Sequence, residues 1–458
     1  MLFHTWTFVL FFLVVYAVYL AVRRTFLRLP WLLLASYVFY GWWNPLYLVL
    51  ILWSTTVDYV AVLGMSRSRR RGAWLALSVV NNLGLLGFFK YGGFVAETVS
   101  AVLVRLGVPY ALPSPWVLLP VGISFYVFQS MSYTIDYYRG QVAKEPNFIR
   151  YATFVALFPQ LVAGPIERAR NLLPQLRNPP RIALADVTDG ASLFVVGLFK
   201  KVALADALAL YVDKVYTAPA DYAAPALALA TLGFAWQIYF DFSGYTDMAR
   251  GIGRMLGIRL MLNFDNPYLA TGLGDFWRRW HRSLSTWFKD YVYVPLGGNR
   301  RGEVRTYVNM ALTMVVSGLW HGAAWTFVAW GVLHALGRVA TRHLEGTAFY
   351  RDRVPTVVKR LWVFVFVTFA WIFFRAETFA DAWTIVTRLA APDWADPAVP
   401  LLVLGLIGGV WLYQWIYESN LRSLLARAPV RIALVVGMML YMALAVTSGG
   451  QPFIYFQF

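Results

Sequence analysis

The amino-acid sequence predicts an all-α protein that crosses a membrane many times. Of its 458 residues, 59% are hydrophobic, and the mean hydropathy is +0.56, whereas soluble domains contain about 45–50% apolar residues. Aromatic residues make up 17% of the chain, which is typical of interfacial belts and of aromatic-lined interiors. Many windows approach the length that a membrane-spanning helix requires, so we expect one membrane domain over residues 1–458 with about 11 or more membrane helices.

The apolar windows differ in length, and several are too short to cross a bilayer. Trp42, Trp43, Asn44 and Pro45 separate the second window from the third, and Pro159 interrupts the sixth. Because lipid cannot satisfy irregular backbone, short or broken windows suit re-entrant helices that line a cavity. The candidate segments are residues 6–22, 30–42, 46–65, 73–90, 115–134, 151–163, 190–212, 224–240, 307–317, 322–340, 357–374, 399–417 and 430–448.

The formal net charge is +17, yet the basic residues lie between apolar windows. This distribution favours the positive-inside bias of cytoplasmic loops over a nucleic-acid surface. Residues 6–22 lack a preceding basic region and a cleavage site, and Arg23 and Arg24 follow them, so we expect an uncleaved first helix whose far end faces the cytoplasm. The predicted cytoplasmic clusters are Arg67, Arg69, Arg70 and Arg71; Arg168, Arg170, Arg177 and Arg181; and Lys200 and Lys201.

The chain contains no cysteine, which excludes disulfides, thiolate catalysis and cysteine-based metal sites. A covalent relay on this chain therefore requires an oxygen or nitrogen nucleophile. We expect no bound metal or resident cofactor.

The longest stretch without a spanning window is residues 246–306, which is rich in Gly, Arg and Trp. Function concentrates in such long segments, and we interpret this one as a cytoplasmic-side re-entrant or amphipathic active-site region. Read as a helix, its central part places Trp277, His281 and Ser285 on one face, with Trp280 beside them.

Arg278, Arg282 and Lys289 fall on a neighbouring face of the same predicted helix. Cations bind phosphates, and an imidazole can act as a base, so the two faces together suit a donor such as acetyl-CoA. An interfacial amphipathic helix on anionic lipid heads explains the pattern equally well.

His321 lies between two short apolar segments and has Gly318 and Gly322 as near neighbours, which permit close backbone approach. An ionisable residue there is a functional hypothesis by default, and imidazole is a natural general base near neutral pH. The alternative is a hydrogen-bonded core histidine. We interpret the remaining histidines as an interfacial residue (His4), a solvated one (His343) and a packing one (His334).

Two further polar sites are candidates for binding. Asp241, which ends an apolar helix six residues before Asp247, is suited to orient a histidine or pair with an arginine, and equally to a buried ion pair or a helix cap. Asn299 lies in the turn Gly297–Arg300, which as a phosphate-binding nest is a weak signal.

Seven motifs in order resemble the membrane-bound O-acyltransferase (MBOAT) family, and within it the branch of alginate O-acetyltransferase membrane subunits. The resemblance runs essentially from end to end. The matching segments are Phe158–Ile166, Gly197–Lys201, Gln237–Asp247, Asn263–Tyr268, Asp275–Asp290, Tyr293–Arg300 and Ser317–Ala323.

The resemblance implies a ring of helices around a funnel-shaped centre, whose tunnel brings acyl donor and acceptor to a histidine from opposite faces. By position, His321 matches the catalytic histidine of the family and His281 the second functional one. The resemblance also implies a bacterial inner-membrane location, contact with membrane lipid, acetyl-CoA as donor, a periplasmic SGNH-type or similar acetyltransferase as partner, and a polysaccharide synthesis and export complex. It implies no nucleic-acid partner.

Residues 449–458 form an aromatic tail. Its last seven residues resemble the tail of the small partner protein in D-alanylation systems, in which a tyrosine is thought to carry the acyl group. By this resemblance Tyr455 is an acyl relay, and the alternative is an aromatic membrane-interface anchor.

The function expected from the sequence is transfer of an acetyl group from cytoplasmic acetyl-CoA to an exported, alginate-like polysaccharide. One alternative is D-alanyl-type transfer to a cell-wall polymer, although the pattern differs from those relatives after Tyr291. Another is a transporter without covalent chemistry, which the absence of an internal repeat disfavours.

Overall fold

The computed structural model describes residues 1–113, 119–391, 401–425, 427–445, 453 and 454. Within these ranges the regular secondary structure is helical, without strands. The α-helices are Trp6–Val22 (α1), Arg28–Gly41 (α2), Tyr47–Arg67 (α3), Arg71–Leu86 (α4), Gly92–Arg105 (α5), Ile123–Tyr138 (α6), Phe148–Ala156 (α7), Phe158–Leu161 (α8), Ala169–Arg177 (α9), Leu184–Phe199 (α10), Asp206–Thr217 (α11), Ala224–Met255 (α12), Leu273–Arg279 (α13), Arg282–Phe288 (α14), Glu303–His321 (α15), Trp325–Gly346 (α16), Thr356–Arg375 (α17), Phe379–Leu389 (α18), Leu401–Glu418 (α19), Arg422–Leu425 (α20) and Ala428–Ala445 (α21).

Four π-helical turns accompany these helices, at Gly87–Tyr91, Lys200–Ala205, Lys289–Tyr293 and Phe349–Arg353. The π-helical turns at 87–91 and 200–205 continue α4 and α10 directly into α5 and α11. The predicted segment 190–212 therefore corresponds to a nearly continuous helical run.

Three helical stretches of the described chain are long and apolar enough to cross a membrane: Tyr47–Arg67, Arg71–Arg105 and Thr356–Arg375. Shorter apolar helices lie at Trp6–Val22 and Ala428–Leu444. The all-α class is therefore confirmed. The expected count of membrane helices and the single domain over residues 1–458 stay predictions.

By their internal contacts, the residues divide into two compact units. The first comprises Met1–Ala191 and Ala249–Met261, and the second Ser192–Met248 and Leu262–Phe458. The candidate site residues from the sequence all belong to the second unit.

In the first unit, the predicted interruption at Pro159 is confirmed. Helix α7 ends at Ala156 and α8 begins at Phe158, while Leu157 leaves the helical region with φ −54° and ψ 115°. The backbone N–H of Phe158 donates to the Ser36 hydroxyl at 3.1 Å, which replaces the hydrogen bond lost at the break.

Glu167, also in the first unit, joins Met261 to Asn171 through its buried carboxylate. Its carboxylate accepts hydrogen bonds from the Met261 backbone N–H at 2.5 Å and from the Asn171 side chain at 2.6 Å. Burial raises the pKa of Glu167 to about 7. Met261 and Asn171 are thereby tied together within the first unit.

In the second unit, two glycines bring α10 and α12 into backbone contact. A Cβ on Gly197 would lie 2.5 Å from the Gly244 carbonyl oxygen, and one on Gly244 would lie 2.7 Å from the Gly197 carbonyl oxygen. Only glycine permits this approach, which brings Lys200 and Lys201 within reach of carboxylates on α12.

We predict that Gly197→Ala destabilises the protein by about 1–3 kcal/mol, because the added methyl group forces the two backbones apart. Thermal unfolding of the purified protein in detergent measures the change. Gly437→Ala in α21 is the matched control, since no heavy atom lies within 4 Å of a Cβ there. Equal melting temperatures for the two variants would contradict the prediction.

Candidate active site

His281 lies at a break between two short helices. Helix α13 ends at Arg279, α14 begins at Arg282, and His281 adopts left-handed backbone with φ 39° and ψ 55°. The prediction of one continuous helix through Trp277, His281 and Ser285 is therefore wrong. Left-handed backbone is uncommon for a residue other than glycine and is found where the surroundings enforce it.

The surroundings here are the loop that begins at Asn263. The Arg282 N–H donates to the Asn263 carbonyl oxygen at 2.9 Å, and the Ser283 N–H donates to its side-chain oxygen at 3.2 Å. The Asp265 N–H donates to the Arg279 carbonyl oxygen at 3.0 Å. These bonds replace the hydrogen bonds of a continuous helix, so the loop stabilises the break.

Ser285, predicted to bind substrate, supports the same break. Its hydroxyl donates to the Trp280 carbonyl oxygen at 3.0 Å, and its backbone N–H donates to the His281 carbonyl oxygen at 2.9 Å. The carbonyl groups on both sides of the left-handed turn are thus satisfied locally.

The imidazole of His281 is buried in an aromatic shell, with 1% of the residue exposed. Its ring centroid lies 4.6 Å from that of Phe242, 6.4 Å from Phe264 and 6.0 Å from Trp320. Burial lowers the pKa of His281 to about 3, because a charged ring would be desolvated. The ring is therefore neutral at physiological pH.

His321 is the last residue of α15 and is 3% exposed. Its ring lies 5.0 Å from Trp320, 5.2 Å from Trp330 and 5.2 Å from Phe374, measured between centroids. The following Gly322 is required by close packing, since a Cβ there would lie 2.0 Å from the Phe327 ring. Because the Trp320 indole contacts both imidazoles, the structure brings His281 and His321 to one aromatic group.

Trp277 and Trp280 have different surroundings. Trp280 is 1% exposed and packs on Phe264 and Trp371, each at 5.1 Å between centroids, so it forms part of the aromatic core. Trp277 is half-buried and packs on Trp330 at 5.7 Å and on His334 at 5.0 Å.

The three predicted cations lie at the surface on separate elements. The Arg278 side chain is 76% exposed and lies 3.6 Å from Asp275. The Arg282 side chain is 42% exposed and lies 3.9 Å from Asp265, while Lys289 is exposed where α14 passes into a π-helical turn. The helix break removes the single cationic face but leaves all three side chains accessible.

Asn299 is exposed in a turn that also contains Gly297 and Gly298, both with positive φ. The buried side-chain amide of Asn309, on α15, donates to the Gly298 carbonyl oxygen at 2.9 Å. The turn is thus attached to the helix that ends in His321.

Asp241 forms a buried ion pair, which was one of the interpretations offered for it from the sequence. Its carboxylate lies 2.9 Å from the Lys201 ammonium, and both side chains are less than 5% exposed. The prediction that Lys200 and Lys201 belong to a cytoplasmic loop is wrong. Both lie in a π-helical turn, where Lys200 pairs with Asp247 at 2.6 Å.

Sequence reasoning missed Lys201 because a basic pair beside an apolar window reads as a loop. The sequence did contain a signal for a buried lysine. The two carboxylates inside the motif Gln237–Asp247 require cationic partners in an apolar environment. Sequence reasoning also missed the aromatic residues that surround the histidines, namely Phe242, Trp320 and Trp330. They lie beside the candidate residues but form no periodic pattern of their own.

The interpretation of His334 as a packing residue agrees with its position. It is fully buried among Trp277, Trp330 and Phe366 at centroid distances of 4.6–5.7 Å. Within the described residues, neither ring nitrogen has a hydrogen-bond partner.

The predicted relay Tyr455 lies outside the described residues. The two described residues before it, Phe453 and Ile454, are 1% and 2% exposed. Across the described part of the chain, no group of three His, Asp or Glu side chains is arranged to hold a metal ion.

Comparison with known proteins places this site in a family. Residues 139–379, which include both buried histidines, match the model of the membrane-bound O-acyltransferase (MBOAT) family. The probable alginate O-acetylase of Azotobacter vinelandii is 42% identical over 373 residues, which cover 79% of this chain and 73% of that protein.

Two further relatives carry other names. The peptidoglycan O-acetyltransferase of Helicobacter pylori is 35% identical over 382 residues, covering 77% of this chain and 72% of that protein. The teichoic acid D-alanyltransferase of Streptococcus thermophilus is 31% identical over 232 residues, which cover 48% of this chain and 56% of that protein.

We predict that His281 makes stability depend on pH below about 6.5. In the unfolded chain the His281 ring binds a proton below pH about 6.5, whereas in the folded protein it does so only near pH 3. The free energy of unfolding therefore decreases as the pH is lowered, by about 2 kcal/mol between pH 6.5 and 5. His281→Asn removes this share of the pH dependence, while the share of His334 remains, because burial lowers the pKa of His334 to about 3 as well. Asparagine tolerates the left-handed backbone. Melting temperatures at pH 7.5 and 5 measure the pH dependence; an equal loss in wild type and variant would refute the assignment.

Proposed function

The chain belongs to the membrane-bound O-acyltransferase family, and we propose that this acyltransferase passes an acetyl group from cytoplasmic acetyl-CoA across the bacterial inner membrane. The final product is an O-acetylated, exported polysaccharide of alginate-like type. The observation that carries the proposal is the contact of two buried imidazoles, His281 and His321, with the one indole of Trp320. A dry aromatic site with two proton acceptors suits acyl transfer to a hydroxyl group.

In the proposed reaction, His321 is the general base. It takes the proton of the acceptor hydroxyl while the oxygen attacks the carbonyl carbon of the thioester. The C–S bond then breaks, and the proton passes from the imidazole to the departing thiolate. His281, neutral at physiological pH, positions the donor or serves as a second proton acceptor.

The exposed cations Arg278, Arg282 and Lys289 are proposed to contact the phosphates of the donor. Half-buried Trp277 lies between this surface and the aromatic shell, where it contacts Trp330, the neighbour of His321. We propose that Trp277 and Trp280 contribute the wall of the donor site and that the Asn299 turn is a further anion contact. The basic excess of residues 275–305 supports a cytoplasmic position for this surface.

The acceptor is proposed from the relatives. Identity to alginate O-acetylases is 42%, against 35% to the peptidoglycan O-acetyltransferase, so an alginate-like polymer is the first candidate and peptidoglycan the second. We propose that a periplasmic SGNH-type or similar acetyltransferase and the polysaccharide synthesis and export complex complete the transfer.

D-alanyl transfer remains the alternative within the family. Two relatives that carry this activity in their names are 31% identical over 48% of this chain and 25% identical over 64% of it, and these lower identities favour acetyl transfer. A transporter without covalent chemistry would give no purpose to two buried histidines at one indole.

Tyr455 is proposed as a covalent stop for the acetyl group. Its phenol oxygen would attack the thioester carbonyl, release the thiol and later pass the acetyl group to the periplasmic acceptor. Burial of Phe453 and Ile454, with Phe453 6.0 Å from the Phe242 ring that contacts His281, supports this reading over an interfacial anchor.

We predict that His321→Ala lowers polymer acetylation by roughly 10²–10⁴ while expression and membrane insertion stay normal. The acetyl content of the exported polymer and the rate of thioester consumption by purified protein measure the effect. His343→Ala is the control, because this histidine is exposed on α16. Full acetylation by a stably expressed His321→Ala protein would remove His321 from the mechanism.

Tyr455→Phe is predicted to retain folding and donor binding but to lose acetyl transfer to the polymer, since it removes only the nucleophilic oxygen. Wild-type protein incubated with acetyl-CoA without its periplasmic partner should carry an acetyl mass on its C-terminal peptide. Tyr441→Phe in α21 is the matched control. Normal acetylation by Tyr455→Phe would identify the tail as an anchor and exclude a covalent stop at this residue.

A further inference from the structure

The Lys201–Asp241 ion pair has a third participant, the backbone of the C-terminal segment. One oxygen of the Asp241 carboxylate lies 2.9 Å from the Lys201 ammonium, and the other accepts a hydrogen bond from the Ile454 N–H at 2.6 Å. Lys201 also lies 2.8 Å from the Asp206 carboxylate. Asp241 therefore shares the charge of Lys201 with a second carboxylate, and the peptide N–H supplies it with an additional donor.

Side-chain packing accompanies the hydrogen bond between the Ile454 N–H and Asp241. Phe453 packs on Tyr245 at 5.0 Å and on Phe242 at 6.0 Å between ring centroids. Both described tail residues are nearly inaccessible to solvent, as are Lys201 and Asp241. A buried carboxylate that accepts a main-chain N–H, next to an aromatic slot for the preceding side chain, is an arrangement that binds a peptide segment.

We propose that Asp241, held by Lys201, together with Phe242 and Tyr245 forms a docking site for the C-terminal segment of this same chain. Asp241 is a positioning residue in this site and not a catalytic one. Phe242, the next residue in α12, contacts His281 at 4.6 Å, so the docked segment and the second histidine share one aromatic ring. Docking thereby holds Phe453 and Ile454, which directly precede Tyr455 in the sequence, beside the ring that contacts the second histidine; the consequence for acyl transfer rests on the proposed function.

The docking site recognises a main-chain N–H, so proline is the informative substitution. Ile454→Pro removes the donor, whereas Ile454→Val keeps the donor and an apolar side chain. Both changes lie in the tail and leave the ion pair intact. Size-exclusion profiles of the purified variants verify that the rest of the protein is folded.

Docking is measured by cross-linking. Phe453 is replaced by the photoreactive amino acid p-benzoylphenylalanine, which keeps an aromatic ring against Tyr245 and Phe242, and mass spectrometry measures the yield of its light-induced cross-link to α12. We expect efficient cross-linking in this background and with Ile454→Val. With Ile454→Pro or Asp241→Leu the yield should fall by about tenfold or more, because a hydrogen bond to a charged group is lost. Equal yields in all four proteins would overturn the proposal.

Activity provides the second readout, in the native sequence without the photoreactive residue. Ile454→Pro should lose acetyl transfer to polymer and the acetyl mass on the C-terminal peptide while its affinity for acetyl-CoA stays within about twofold of wild type. Full transfer by Ile454→Pro would contradict the docking role. Absence of acyl transfer by wild type would instead refute the proposed function, and the cross-linking result would still decide whether the segment docks.

Discussion

The hydrogen bonds between Asn263 and the segment after His281 are the interaction on which the second unit depends. They end one helix and begin another, and they hold a histidine in backbone geometry that the residue would not choose by itself. Had the helix continued, side chains four residues apart would stack on one face and no residue would project from a turn. The break directs one imidazole into the aromatic shell while the flanking arginines reach solvent. The left-handed backbone of His281 thus separates a dry interior from a cationic surface within the nine residues 277–285.

The aromatic shell sets the chemistry that this interior permits. Phe242, Phe264 and Trp320 around His281 offer faces and edges rather than charges, so the neutral imidazole is favoured over the imidazolium. Dipoles and partial charges in such surroundings act with little screening. A thioester entering this shell would meet neutral nitrogen acceptors and almost no competing water, which protects an activated acyl group from hydrolysis.

Much of this arrangement follows from the sequence, and the remainder has identifiable causes. Hydropathy and length predicted helices throughout, Pro159 predicted a real interruption, and the glycines beside His321 indicated close packing. The break at His281 was not predictable from local periodicity, because its cause is a loop that begins eighteen residues earlier. Lys200 and Lys201 were misread since hydropathy averages over a window and does not reveal a carboxylate on another helix. Helix α12 continues to Met255, into the stretch predicted to be re-entrant or amphipathic, because polar residues form helix readily once packing supports them.

The π-helical turn at Lys200–Ala205 has a mechanical consequence. It lets two consecutive lysines reach carboxylates six residues apart on α12, about 9 Å along the helix axis. Two attachment points at that separation resist both sliding and rotation of α12, because either movement stretches at least one pair in surroundings where a lone charge is unfavourable. Phe242 lies on α12 between the two carboxylates that form these ion pairs. Its position relative to the His281 ring is therefore fixed. Any motion that opens the site must therefore be carried by other elements, with α12 as the stationary reference.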